Sequence, residues 1–174
     1  EPLVVAFALS GVSTAGALAN LKQESGDIDF GRVRQVTESQ WQKALNVIEG
    51  DFLSSADQQT FATAMYHSML SPIVFEDVDG SYRGLDGNIH LSEGFVNYSI
   101  FSLWDTYRAL HPWFNLMHVD RNRDMIQSML AHADQSVHEV LPVWSHWANE
   151  NWCMIGYHAV SVLADARAKG MSGI

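Results

Sequence analysis

The sequence predicts a mainly α protein with a short β-rich lead-in. Three observations carry that class. From residue 37 onward, apolar side chains return every three or four positions in successive windows, the spacing of helices packed by one face. Cap and stop residues bracket these windows, and Asp-Gly turn signals are confined to one stretch near the middle. A chain of 174 residues with 47% hydrophobic and only 17% charged content can also bury a core and is too apolar for disorder.

The elements follow in order. Residues 3–9, LVVAFAL, form a β-rich apolar run ended by Ser-Gly and predict a strand. STAGALANLKQE at 13–24 predicts a short helix capped by Ser13 or Thr14. A polar stretch follows, and the change of character near residue 35 divides the chain into a β-rich fragment (1–35) and a helical domain (36–174). Thr37 with Gln40 makes a capping-box pattern, after which Trp41, Leu45 and Ile48 keep helical spacing until Gly50. Asp57 opens the next helix, with Phe61, Met65, Met69 and Leu70 along it and Pro72 beyond its end. PIVFEDVDGSYRGLDGNIHL alternates like short hairpin strands around two Asp-Gly turns. Helices are then predicted over about 93–111, ended by His111-Pro112, and over 122–138 on Met125, Met129 and Leu130. The Trp-rich loop LPVWSHWANEN precedes a last helix over about 153–169, stopped by Gly170.

Charge and cysteine content exclude several classes. The net charge is −10, and no Lys/Arg cluster exists to neutralise phosphates, which argues against nucleic-acid partners and anionic membrane surfaces. The single Cys153 rules out an internal disulfide or a thiolate metal cluster. No apolar run reaches membrane-spanning length, so no membrane span is predicted. Glu1 reads as mid-strand, and the expectation is a piece of a longer polypeptide.

Chemistry is suggested at three places. In YSIFSLWDTYRALHP, residues 98–112, Val96, Ile100, Leu103, Tyr107 and Leu110 line one side of the predicted helix, at about 100° per residue. Asp105 falls on the opposite side near Phe101 and Arg108, with Trp104 between. Such a helix either buries an Asp105–Arg108 pair or lines a cavity. In a cavity, the indole of Trp104 would meet the C–H face of a sugar and Asp105 would accept its hydroxyls. The acids of EDVDGSYRGLDGNIH, residues 76–90, fail as a calcium loop, because Tyr82 takes the glycine position counted from Asp77, and Arg83 a ligand position counted from Asp79. They read as turns shaping a hairpin, or as a hairpin presenting Tyr82 and Arg83 to a cleft. In WSHWANENWCMIGYHAV, residues 144–160, Glu150 serves as a first-turn acid or a binding group, and His158 as a core histidine or a ligand. No HExxH, GxSxG or phosphate loop is present.

The blocks YHSMLSPIVFEDVDGSYRGLDGNIH, YSIFSLWDTYRALHP and NENWCMIGYHAVSVLADA, taken together and in this order, resemble glycoside hydrolase family 92. GVSTAGALANLKQE resembles that family's junction between an N-terminal β-sandwich and an (α/α)6 barrel. The resemblance implies a calcium-dependent, exo-acting, inverting α-mannosidase, often α-1,2-specific, acting on α-mannoside glycans in a secreted or periplasmic setting. The chain would supply the end of the sandwich and the first half of the toroid. Trp104 and Asp105 would match the Trp-Asp of the terminal mannose subsite, with Arg108, Tyr82, Glu150 and His158 around it. The family's acid, base and calcium ligands belong to Gly-Asn-Glu-Pro and Gly-Asn-Asp blocks, which do not occur in these 174 residues. No catalytic or metal-ligating residue is therefore assigned. The segment alone is expected to be inactive and to need the remaining part of the same enzyme. The alternative is a non-catalytic carbohydrate-binding or interaction module.

Overall fold

The computed structural model describes residues 3–27 and 29–174. Residues 3–9 join no ladder, and Leu3, Val5, Phe7 and Leu9 are exposed, so the predicted strand is not formed. Extended preference becomes a strand only where a neighbouring edge supplies hydrogen bonds, and none of the described residues does so. Helix α1 (Thr14–Ser25) begins as predicted, with Ser13 Oγ accepting the Gly16 N–H at 3.0 Å. Gly16 itself is required, because a Cβ there would run into Asp77 Oδ2. Asn20 Nδ2 donates to Asp77 Oδ1 (2.8 Å) and to Leu9 O (3.1 Å), and Ser10 Oγ donates to Asp77 Oδ2 (2.7 Å). The buried Asp77 thus clamps the lead-in and α1 onto the central hairpin.

Helix α2 (Phe30–Leu45) starts well before the predicted capping box. Asp29 caps it, accepting from the N–H groups of Gly31 and Arg32, while Thr37 lies mid-helix with its hydroxyl donating to Val33 O. A Ser/Thr-x-x-Gln spacing occurs by chance within helices, and here Asp29 offers the stronger acceptor. The helix runs unbroken through residue 35. Helix α3 (Ser55–Ser68) is capped by Ser54, whose Oγ accepts the Asp57 N–H and donates to Asp57 Oδ2, so Asp57 belongs to the first turn and is not the opening residue.

Strands β1 (Ile73–Val74), β2 (Ser81–Arg83) and β3 (Ile89–Leu91) follow, and β2 pairs antiparallel with β3 as the predicted hairpin. Gly80 and Gly87 sit at φ 82° and 78°, as the two Asp-Gly turns require. The long helix predicted over 93–111 does not exist. Tyr98–Ser99 is strand β4, antiparallel to β1, and Ile100 is left-handed at φ 67°. The N–H groups of Ile100 and Phe101 both donate to Ser145 O at 3.1 Å, and Ser128 Oγ accepts the Tyr98 N–H at 2.9 Å. Those distant acceptors outcompete local helical bonds. What remains helical is α4 (Leu103–Thr106) and α5 (Leu110–Met117). Pro112 sits inside the first turn of α5, where a missing N–H costs nothing, so it starts a helix where the sequence was read as ending one.

Helix α6 (Val119–Gln135) begins and ends three residues earlier than predicted (119 against 122, 135 against 138). A third hairpin, β5 (Ser145–His146) with β6 (Asn149–Glu150), precedes helix α7 (His158–Ala168), which starts later than predicted because residues 151–157 are bends and loop. Gly170, at φ 91°, stops it as expected, and Met171 N–H closes back to Ala166 O at 3.0 Å. The core lies among α5, α6 and α7, where Phe101, Leu103, Phe114, Met125, Ile126 and Met129 are fully buried. A polar relay crosses it. His111 Nδ1 meets Asn122 Oδ1 (2.8 Å), Asn122 Nδ2 donates to Asn115 Oδ1 (2.6 Å), and Asn115 Nδ2 donates to Asp165 Oδ2 (2.8 Å), which also holds Lys169 Nζ (2.6 Å). The predicted class holds: the chain is mainly α, a partial helical toroid with hairpins on its loops.

Candidate functional site

The short helix α4 and the turn that follows it present three of the candidate residues together. Leu103, fully buried, anchors it, while Trp104, Asp105 and Arg108 are exposed on its other side. Asp105 accepts from the Ser102 hydroxyl and makes no ion pair with Arg108 among the described residues. The buried acid–base pair is therefore not formed. Phe101 does not share that face, because it is sealed in the core, edge-on to His132 at 5.8 Å. Arg108 instead lies between rings, its guanidinium carbon 5.3 Å from the Trp104 centroid and 5.1 Å from that of Tyr107. Tyr107 in turn stacks on His158 with centroids 4.2 Å apart and planes within 6°. One continuous row of π faces and one cation thus joins Trp104, Arg108, Tyr107 and His158, with an open carboxylate beside it.

Tyr82 and Arg83 lie on strand β2, in a cleft of about 530 Å³ that also involves Gly11, Phe75, Glu76 and Trp147. Tyr82 is only 3% exposed, and its hydroxyl accepts from Gln135 Nε2 at 2.7 Å. Burial raises its phenol pKa, outweighing the Gln135 hydrogen bond. Arg83 donates to the carbonyls of Gly11 (2.8 Å), Gly87 (2.8 Å) and Val12 (3.4 Å), tying the lead-in to the hairpin. Glu76 Oε2 accepts the Asn97 N–H at 2.6 Å. At the hairpin tip, burial pushes Asp86 up, but hydrogen bonds from Asn88 and His90 outweigh it and hold the carboxyl down at about 2.

Glu150 organises the third hairpin. Its carboxylate accepts the N–H groups of Val143, Trp144 and Trp152 at 2.9, 2.9 and 3.0 Å. This stabilises a turn of unusual backbone. Trp147 and Ala148 form the two-residue loop at φ 50° and 62°, the left-handed pair that hairpins usually give to Asn-Gly. A non-glycine residue held there costs about 1–3 kcal/mol, and such outliers cluster at functional sites. Trp147 is missing from the candidates drawn from sequence, because Trp-Ala carries no turn signal. A density of three Trp in ten residues is the one hint.

Among the described residues, no group of three or more His, Cys, Asp or Glu converges as a metal site, so the donor set for a calcium ion is not found in them. Among the described helices, none is long and apolar enough to cross a membrane.

The glycosyl hydrolase family 92 catalytic domain model matches residues 16–174. A family 92 α-mannosidase from Bacteroides thetaiotaomicron is similar over 95% of this chain, at 51% identity and a TM-score of 0.89, with 22% of that protein covered. Its structure in complex with mannoimidazole aligns equally well, with 21% covered. A second protein of that species, described as a family 92 inverting mannosidase, aligns over 92% of this chain at 30% identity and a TM-score of 0.85, again with 22% of its own length. No curated protein sequence matches the chain. The chain thus spans about a fifth of the solved relatives' length.

Proposed function

This chain belongs to glycosyl hydrolase family 92, and on that premise we propose that it is a segment of an exo-acting, inverting α-mannosidase that removes terminal, α-1,2-linked mannose from glycans. The segment supplies part of the terminal mannose subsite. The observation that carries this reading is the exposed pair Trp104–Asp105, an indole face next to a carboxylate whose described partner is a single serine hydroxyl. A pyranose offers a C–H face for the first and vicinal hydroxyls for the second. Arg108, held between Trp104 and Tyr107, adds fixed N–H donors, and His158 supports Tyr107 from behind. Glu150 shapes the bordering loop, and Tyr82 stiffens the neighbouring hairpin through Gln135.

Inverting hydrolysis needs an acid and a base set apart so that water fits between them. We place those groups, the calcium ligands and the rest of the toroid in other parts of the polypeptide, and a secreted or periplasmic location follows from the glycan substrate. The segment alone turns over no mannoside. In the full-length enzyme, Asp105→Asn lowers kcat/KM for α-1,2-mannobiose by at least about 100-fold, with a small change in Tm because the side chain is exposed. An unchanged kcat/KM would sink the subsite assignment. Saturable mannobiose binding by residues 1–174 alone, followed by tryptophan fluorescence, would instead favour a self-sufficient binding module.

A further inference from the structure

Arg121 lies in the first turn of α6 and rests its guanidinium on the core. The guanidinium carbon is 5.4 Å from the ring centroid of Tyr98 and 6.0 Å from that of Phe114, both buried. Its hydrogen bonds among the described residues run from one nitrogen. Nη2 donates to the carbonyls of Met69 and Pro72 at 3.3 and 3.4 Å, both longer than the usual N–H···O bond. Nε is sealed from solvent without an acceptor, and no carboxylate among the described residues pairs with the cation. Its neighbour Asp120 is taken by Arg123. A cation in a helix's first turn also faces the positive end of the helix dipole. A partly dehydrated guanidinium in that position is ordinarily matched by an anion, and Arg121 has no such partner among the described residues.

Arg121 forms one wall of a hollow of about 280 Å³, lined also by Gln40, Trp41 and Ala44 of α2 and by Met69. Gln40 and Trp41 bring further N–H donors, while Ala44, Met69 and the indole ring are apolar. No acid lines it, although the chain carries a net charge of −10. One cation matches one negative charge, and a planar guanidinium matches a planar carboxylate. The apolar wall suits a short hydrocarbon body behind that head group. The hollow joins the helix that buries no residue, α2, to the helix that carries the core, α6.

We propose that this hollow is a carboxylate-binding site, and that the bound acid pins α2 to the first turn of α6. None of Trp104, Asp105 or Arg108 lines it, and the proposal does not rest on the mannosidase reading. Two sources share this chemistry: a free short-chain acid such as acetate, or an Asp or Glu side chain from a part of the polypeptide outside these 174 residues.

The test is hydrogen exchange over residues 37–45 in the full-length enzyme, with sodium acetate set against sodium chloride at matched ionic strength. For a free acid, acetate should slow exchange saturably, by about threefold at twice its Kd. Arg121→Gln should abolish that response, and so should Ala44→Leu, which fills the hollow and keeps the guanidinium. For an acid from the chain itself, acetate should change nothing. Arg121→Gln should then speed exchange at least about fivefold, and about 1 M sodium chloride should speed it in the unmodified enzyme but not in Arg121→Gln. The site is overturned if chloride slows exchange as well as acetate does, or if the acetate response survives Ala44→Leu. It is equally overturned if neither acetate nor Arg121→Gln alters exchange. A salt-independent effect of Arg121→Gln without an acetate response would also overturn it, since Arg121 would then serve its rings and carbonyls alone.

Discussion

Helices α2 and α6 are nearly equal in length, 16 and 17 residues, and end in opposite circumstances. Helix α6 buries Asn122, Met125, Ile126, Ser128, Met129 and His132 against α5, α7 and β4. Helix α2 buries no residue. It leans on α3 through Trp41, whose ring is 4.7 Å from Tyr66, and leaves Phe30, Val33 and Val36 exposed. Both helices are amphipathic by sequence. The difference is that described elements cover the apolar face of α6 and leave most of that of α2 open, in a chain that spans about a fifth of its solved relatives' length. Periodicity marks the face that wants covering; only the rest of a fold supplies the cover.

The contrast can be broken most directly by truncation. Phe114→Ala, in the core that α6 shares, should lose about 3–5 kcal/mol in urea or thermal unfolding, whereas Val36→Ala on α2 should stay within about 0.5 kcal/mol. Similar losses at both would dissolve the distinction. Acid should act on the same side of the molecule. Burial holds His111 and His132 at about 4 against an ordinary 6.5, so the folded state refuses protons that the unfolded state accepts. Their stabilisation is complete above the unfolded value and is lost as pH falls from there toward about 4. Lowering pH from about 7 to about 5 should cost about 2 kcal/mol per histidine. Burial lowers His118 and His146 too, which adds in the same direction. A stability curve flat across that window would contradict the burial of both rings. The smallest effect sharpens the comparison from the other end. Helix α2, with little tertiary support, leans on its cap, so Asp29→Ala should cost about 1 kcal/mol and speed hydrogen exchange at Gly31 and Arg32 about fivefold.

What was legible in the sequence was chiefly what is local. The Ser13 cap, the Asp-Gly hairpin and the Gly170 stop each depend on residues within a few positions of one another, and each is found. The 93–111 stretch departs from the helix its periodicity predicts because its fate is decided by Ser128 and Ser145, whose hydrogen bonds no window of sequence contains. Pro112 was ambiguous in principle, since the same residue suits the position after a helix and the first turn of the next. Asp105 beside Trp104 stands out in the sequence as an acid among aromatics, although the helix that carries it is a single turn. Trp147 gave no comparable signal, for its interest lies in a backbone angle.

The relay through the helical core has a direction imposed from outside. Asp165, held low by the hydrogen bond from Lys169 despite some burial, can only accept, so Asn115 must turn its amide nitrogen outward. Asn122 must then do the same, and its oxygen, facing inward, demands a proton on Nδ1 of His111. Nε2 is left as a bare lone pair in the interior, with no partner among the described atoms. A carboxylate at the rim of α7 thereby dictates, three side chains away, the tautomer of a ring at the centre. Replacing that acid with an amide would free the whole file to reverse.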